Sequence, residues 1–183
     1  MRYIFLDVDG VLNNDYTKPN EKNLYHNLEI LDYDNVFFFK ELMDKVYTKY
    51  GKDNVKIILS STWRHNMSMK LDKVESNGAR EALDKYLAGF DIKIDDETPP
   101  LIFRGKEIWT YLKEQEKTEK IEGIVIIDDI FFLDFWDYGL TPYFVQTSAF
   151  PRNGCGGFRE KHISKVIEKL EVSFEWKEKK HFD

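Results

Sequence analysis

Apolar residues fall along this chain in two rhythms. Short, nearly continuous apolar runs occur at Tyr3–Leu6, Val55–Leu59, Ile124–Ile127 and Tyr143–Val145. Runs of this length, rich in aromatic and β-branched side chains, predict strands buried on both faces, as in a parallel sheet. Between them the spacing stretches to three and four. Phe38, Phe39, Leu42, Met43, Val46 and Tyr47 predict a helix over Val36–Tyr50, capped by Asp34 or Asn35 and stopped by Gly51. Met67–Gly89 reads as helical with a break near Asn77-Gly78, its clearer half being Ala79–Leu87. Ile108, Trp109 and Leu112 line one side of a helix over Lys106–Glu116, and Ile163, Val166, Ile167 and Leu170 do so over His162–Leu170. Phe90–Ile94 reads as one more short strand, and the aromatic stretch Phe131–Tyr138 as a short helix or turn packed on the sheet. Asn14–Glu29, Asp95–Pro100 and Phe150–Phe158 follow neither rhythm and are expected to be loops.

Strands that alternate with helices imply an α/β fold: a parallel sheet with right-handed crossovers and helices on both faces. The expected domain is single, residues 1–172, with a polar, solvated tail at 173–183. A length of 183 residues with 42% hydrophobic content fits one such domain with a full core. No apolar run approaches the length of a membrane span, and the chain enters its first core strand at once, so neither a membrane anchor nor a signal peptide is expected. Cys155 is the only cysteine, which excludes an intramolecular disulfide and suits a reducing cytoplasm; nothing beside it activates the thiol. His26, His65, His162 and His181 are scattered without zinc-ligand spacing. The net charge of −6 argues against a broad basic surface for long nucleic acid, though not against a local basic pocket for one phosphate or strand end.

The polar residues that change the picture sit where strands end. In open α/β sheets ligands bind beyond the carboxyl ends of the strands. Here those ends read Asp7-Val8-Asp9-Gly10, Ser60-Ser61-Thr62-Trp63-Arg64 and Asp128-Asp129, with Arg104 at a helix start. Asp7 and Asp9 leave the first strand on one side, and two such carboxylates seek a cation, a shared proton or a basic partner. Gly10 permits a sharp turn and close ligand approach. Each motif alone is ordinary turn chemistry; their repetition at successive strand ends is not. Several carboxylates in one crevice suit Mg²⁺. A hydroxyl at Ser60 and a cation at Arg104 or Lys106 suit phosphate oxygens. One carboxylate can attack phosphorus, and a second, two residues on, can protonate the leaving oxygen and then activate water.

In these motifs the chain resembles the haloacid dehalogenase (HAD) superfamily of phosphatases. Asp7 to Asn13 matches its first motif, Ile58-Leu59-Ser60 the second, Arg104 to Ile108 the third and Ile126 to Asp129 the fourth, so the resemblance spans residues 3 to about 170. The wording is most similar to HAD domains of Swiss Army Knife RNA repair proteins, with a Ser-rich Trp-Arg after the second strand and an Arg-Gly-x-Glu-Ile helix start. It is also similar, more loosely, to the phosphatase domain of polynucleotide kinase-phosphatases. The resemblance implies an HAD-like Rossmannoid three-layer sandwich and a Mg²⁺-dependent phosphatase. Asp7 would be nucleophile and metal ligand. Asp9 would be general acid/base, with its carbonyl on the metal. Ser60 would bind phosphate, Asp129 would be a metal ligand and Asp128 its support. The third motif usually carries Lys; here Arg104 aligns best, with Lys106 as the alternative. Val11 stands where many members have Thr.

Asn13–Val36 is too short for a helical cap domain, and Arg64–Arg104 already supplies a helix–strand pair, so the expected enzyme is capless with a short flap. An open site suits a large substrate such as a nucleic-acid end or a phosphoprotein. Asn13, Ser61, Trp63 and Arg64 are candidate substrate contacts, the last two by stacking and charge; core packing is the expectation for most of Phe131–Trp136. A small-metabolite phosphatase and a non-catalytic HAD-like interaction module are the competing readings. The module is disfavoured because Asp7 and Asp9 are both present. A receiver domain or metal-dependent nuclease ranks lower, since a receiver carries its acidic pair on the first strand and this chain's adjacent pair comes late. No protein partner is signalled.

Overall fold

The computed structural model describes residues 1–17, 24–25, 29–64, 78–150 and 156–176. Five strands form one parallel sheet: β1 (Arg2–Leu6), β4 (Val55–Leu59), β5 (Asp96–Glu97), β6 (Gly123–Asp128) and β7 (Phe144–Gln146), in the order β5-β4-β1-β6-β7. A small antiparallel pair, β2 (Leu24–Tyr25) and β3 (Glu29–Ile30), lies between β1 and the first helix. The helices are α1 (Tyr33–Tyr50), α2 (Gly78–Ala88), α3 (Arg104–Gln115), α4 (Asp134–Asp137) and α5 (Glu160–Glu171). β1 is central, with β4 and β6 paired to it in parallel on either side.

Strand alternation splits the interior into two cores. Ile4 and Leu6, Ile57 and Leu59, and Val125 and Ile127 join α1, α2 and α5 through Phe39, Leu42, Leu83, Val166 and Leu170. Tyr3 and Phe5, Ile58, and Ile124 and Ile126 join Ile108, Tyr111 and Leu112 of α3 and Phe135 of α4. Because both faces of the central strands are dry, their sequences read as continuous apolar runs. The expected three-layer α/β architecture is the one found.

Local chemistry shifts several boundaries. Asp32, not Asp34 or Asn35, caps α1: its carboxylate accepts the Asn35 N–H at 3.1 Å. The expected strand at Phe90–Ile94 is instead a turn and an extended lead-in, with Asp91 at φ 56°. Ile92 and Ile94 are buried, which explains the strand-like alternation. The ladder begins only after Asp95, whose side chain takes the Ile57 N–H at 2.9 Å and stands in for a strand carbonyl. β5 therefore falls within the stretch expected to be loop, and the β2–β3 pair, Ile30 apart, within the expected Asn14–Glu29 loop. Residues 173–176 of the expected solvated tail are held against the domain. Tyr143 hydroxyl donates to the Ser173 carbonyl and accepts the Glu175 N–H, and half-buried Phe174 and Trp176 pack on the second core.

The helical reading from Met67 to Asn77, part of the Phe150–Phe158 loop including Cys155, residues 177–183, and His26, His65 and His181 lie outside the described residues. Among the described residues no helix is long and apolar enough to cross a membrane. Among the described residues no helix lies between β1 and α1.

Candidate active site

Phe5, Ile58 and Ile126 pair side by side on β1, β4 and β6, all facing the second core. Two residues further along each strand stand Asp7, Ser60 and Asp128. The register that aligns three apolar side chains thus sets out a row of three polar ones at the carboxyl edge. Helix α3 packs over this face, and its first residue, Arg104, sits against the row. Arg104 Nη2 lies 3.6 Å from Asp7 Oδ1, Nε 3.6 Å from Asp128 Oδ2, and Nη1 donates to Ser60 Oγ at 3.3 Å. Its guanidinium also lies over the Phe132 ring, 5.4 Å from the centroid. Lys106 is exposed, and its backbone N–H donates to Asp134 at 3.1 Å. Of the two candidate bases, the geometry brings Arg104 into the row and leaves Lys106 outside it.

The start of α3 has no side-chain cap of its own. Asp134 of α4 supplies one from across the loop. It fits only because residue 105 is Gly, where a Cβ would meet the Asp134 carboxylate at 2.8 Å. Gly10 is needed for the same kind of reason. Its φ is +70°, and a Cβ there would meet the Asp129 carboxylate carbon at 2.4 Å. Thr147, after β7, braces both acidic turns: its N–H donates to the Asp128 carbonyl at 3.0 Å and its hydroxyl to the Gly10 carbonyl at 2.7 Å.

Oxygens of Asp7, Asp128 and Asp129 lie within 4.8 Å of one another. Burial raises the Asp7 carboxyl well above the ordinary carboxylate range, reinforced by Asp128 and opposed by Arg104 and the Ser61 hydroxyl. Asp128 is pushed up to about 7 by burial, against the pull of Arg104 and the Ile130 N–H. Burial also raises Asp129. Three crowded, desolvated carboxylates of this kind can hold a metal ion, whose charge would offset their mutual repulsion. Within the group Asp128 is the more committed: Oδ1 accepts the Ile130 N–H at 2.9 Å and Oδ2 faces Arg104.

Asp9 stands apart from that cluster. It is exposed, and its two oxygens accept from Asn13 Nδ2 at 2.9 Å and Trp63 Nε1 at 3.1 Å. Asn13 closes the turn by accepting the Gly10 N–H at 2.9 Å. Trp63 is only 4% exposed and belongs to the first core. A ring so buried presents no face to a base, so the stacking expected of it gives way to a hydrogen bond on Asp9. Arg64 is corrected likewise. Its side chain is 5% exposed, pairs with buried Glu107 and donates to Thr98, so its charge is used inside the protein. Ser61 is fully buried beside Asp7 and accepts the Trp63 N–H at 3.4 Å, which places it under the site and not on its rim.

Glu107 had no role assigned from sequence, yet it links the two arginines: one oxygen takes Arg64 and the Leu101 N–H, and the other lies 3.5 Å from Arg104 Nη1. Its signal was the Arg-Gly-x-Glu helix start itself, since a Glu three residues after a functional Arg shares its helix face. Asp134 and Thr147 carried no such signal. Phe131 and Phe132 pack half-buried against the second core, as expected for most of Phe131–Trp136. Trp136 is 67% exposed and Leu133 81%, whereas Phe135 is core; Phe103, beside Arg104, is 58% exposed.

A parallel sheet with this acidic row, serine and helix-start arginine at its carboxyl edge defines an HAD-like α/β protein. The chain belongs to the family described as the HAD domain in Swiss Army Knife RNA repair proteins, whose model matches residues 3–154. That membership supports a phosphatase-type, hydrolase-like role. No curated protein and no solved structure matches the chain significantly.

Proposed function

We propose that this chain is a Mg²⁺-dependent phosphomonoester hydrolase that works through an aspartyl-phosphate and acts on a nucleotide or nucleic-acid end. The observation that carries the reading is the row Asp7–Ser60–Asp128 under Arg104, which gathers a candidate nucleophile, a hydroxyl and a cation at one strand edge. In the first step an Asp7 oxygen attacks phosphorus, the bond to the leaving oxygen breaks with its electron pair, and Asp9 gives that oxygen its proton. Water then attacks the phosphorus of the acyl phosphate and yields a proton to the Asp9 carboxylate. The bond to Asp7 breaks, and inorganic phosphate leaves. Arg104 and Ser60 hold the phosphoryl oxygens throughout.

The carboxylates of Asp7, Asp128 and Asp129 would give the hard oxygen donors Mg²⁺ prefers, with the Asp9 carbonyl as a further donor. When bound, the ion supplies charge that offsets the phosphate's. A reducing, cytoplasmic setting fits a chain with one cysteine.

The nucleic-acid reading draws on the family description. Phe103, next to Arg104 in the chain, is an exposed aromatic ring on which a base could stack. The burial of Arg64 favours the second reading, a small-metabolite phosphatase, because it removes a cation from the rim. Rates with Mg²⁺ on mononucleotides, sugar phosphates and oligonucleotides phosphorylated at either end decide between them. The first reading expects kcat/KM to be highest for an oligonucleotide end, with the advantage shrinking as salt rises. Equal values for oligonucleotide and mononucleotide, or a preference for a sugar phosphate, support the second.

A further inference from the structure

Resting on the hydrolase reading above, we propose that Trp63 is the positioning residue of Asp9: its indole N–H, anchored from the apolar core, fixes the carboxyl for proton transfer to the leaving oxygen. A buried tryptophan needs a partner for its N–H and commonly finds a nearby carbonyl. Here the partner is the carboxylate of an exposed residue on another loop, 54 positions away in sequence. The ring stands on the short 3-10 turn Thr62–Arg64 that follows β4, so this bond ties the loop after the second strand to the turn after the first. Its body packs in the first core, and only Nε1 reaches the site.

The chemistry of the donor suits the task. An indole N–H only donates, so it cannot take the proton that Asp9 must pass on, and it offers the same bond before and after transfer. A carboxylate has about four lone-pair sites, so the bonds from Trp63 and Asn13 leave room on each oxygen for substrate and water. Asn13 lies on the same turn as Asp9 and moves with it. Trp63 is the contact that refers Asp9 to the rigid core. Without it an exposed aspartate samples its rotamers, and proton transfer loses the alignment on which it depends.

The test compares two phosphomonoesters with Mg²⁺ present. An alkyl phosphate has a poor leaving group and needs the acid; 4-nitrophenyl phosphate has a good one and needs it little. Two variants are used: Trp63→Phe, and the full-length protein carrying benzothienylalanine at position 63, which keeps the ring shape and lacks the N–H. In both, the ratio of kcat/KM for the alkyl ester to that for the nitrophenyl ester should drop by about tenfold, part of the range a positioned acid contributes. Asp9→Asn should shift the ratio in the same direction and further. An equal loss on both esters, or an unchanged ratio with the isosteric analogue, overturns the proposal and leaves the hydrolase reading standing. Inactivity of the unaltered protein on both esters overturns that reading and this proposal with it.

Discussion

The two faces of the central sheet are built by the same alternation and end differently. On the face covered by α1, α2 and α5, β1 continues beyond its last residue into Val8, and Val11 and Leu12 stay in the same core. On the face covered by α3 and α4, the next step along three neighbouring strands is Asp7, Ser60 and Asp128. The first face gains stability from every buried side chain it adds. The second gives some up: it buries carboxylates whose pKa values rise because burial costs them hydration. It then recovers part through Arg104, Glu107 and Arg64, a chain of buried charges in which each member is paired. Apolar packing thus runs on to the strand ends on one side of the sheet and gives way to buried charge on the other, with Trp63 reaching from the first core to Asp9.

The largest expected effect breaks the second face alone. Asp7→Asn abolishes turnover and raises the thermal midpoint of the metal-free protein, because it removes a desolvated acid. Leu42→Ala, in the first core, does the reverse, costing about 2–5 kcal/mol of stability while leaving the activity of folded molecules unchanged. Denaturant melts and rates on the same samples check both. Next comes Glu107→Gln. It leaves two buried guanidinium groups without their shared anion, and a loss of about 3 kcal/mol is expected, together with reduced activity. A melt unchanged from the parent protein would show that the arginines find other anions. Smaller again is the split between the two bases of α3. Arg104→Ala raises KM and lowers kcat, because its charge faces phosphate in both ground and transition states, whereas Lys106→Ala changes both little. Initial rates over a substrate series decide it, and the opposite ranking moves the phosphate-holding base to Lys106.

The smallest effect concerns pH. Folded-state pKa values of Asp7 and Asp128 lie above their ordinary values. Their contribution is therefore present at low pH and lost as pH rises, for Asp128 through about 7. His162 acts in the opposite sense. Its Nδ1 accepts the Arg159 N–H at 2.9 Å, and burial lowers its pKa to about 4. Its contribution is lost as pH falls from its ordinary value towards that one. The thermal midpoint of metal-free protein should thus peak on the acid side of neutrality. Asp128→Asn flattens the alkaline limb and His162→Gln the acid limb. Added Mg²⁺ raises the midpoint most at alkaline pH; an equal rise at every pH contradicts the assignment of these carboxylates to the metal.

What could be read from the sequence follows the same division. The strands of the sheet's centre were legible because both of their faces are buried, which leaves an unbroken apolar run. The strand ends were legible because polar residues there interrupt such a run abruptly. β5 was not, since the Asp95 side chain makes a bond that a strand's backbone would otherwise make, and its apolar lead-in mimicked a strand. Trp63 and Arg64, expected to meet substrate, both turn inward, to Asp9 and to Glu107. Nothing in one sequence distinguishes an indole that faces solvent from one whose N–H turns inward to a carboxylate. Asp134 and Thr147 act through backbone groups brought near by the fold, and that proximity has no trace in local spacing.

The central claim is that the row on the second face makes Asp7 a nucleophile. A crystal structure of the protein soaked with beryllium fluoride and Mg²⁺ tests it most directly, because that reagent forms a stable mimic of an acyl phosphate. The account predicts tetrahedral density joined to an Asp7 carboxylate oxygen, with Ser60 and Arg104 on its fluorides and the metal among Asp7, Asp129 and the Asp9 carbonyl. Density joined to Asp9, Asp128 or Asp129, with Asp7 left free, would contradict it.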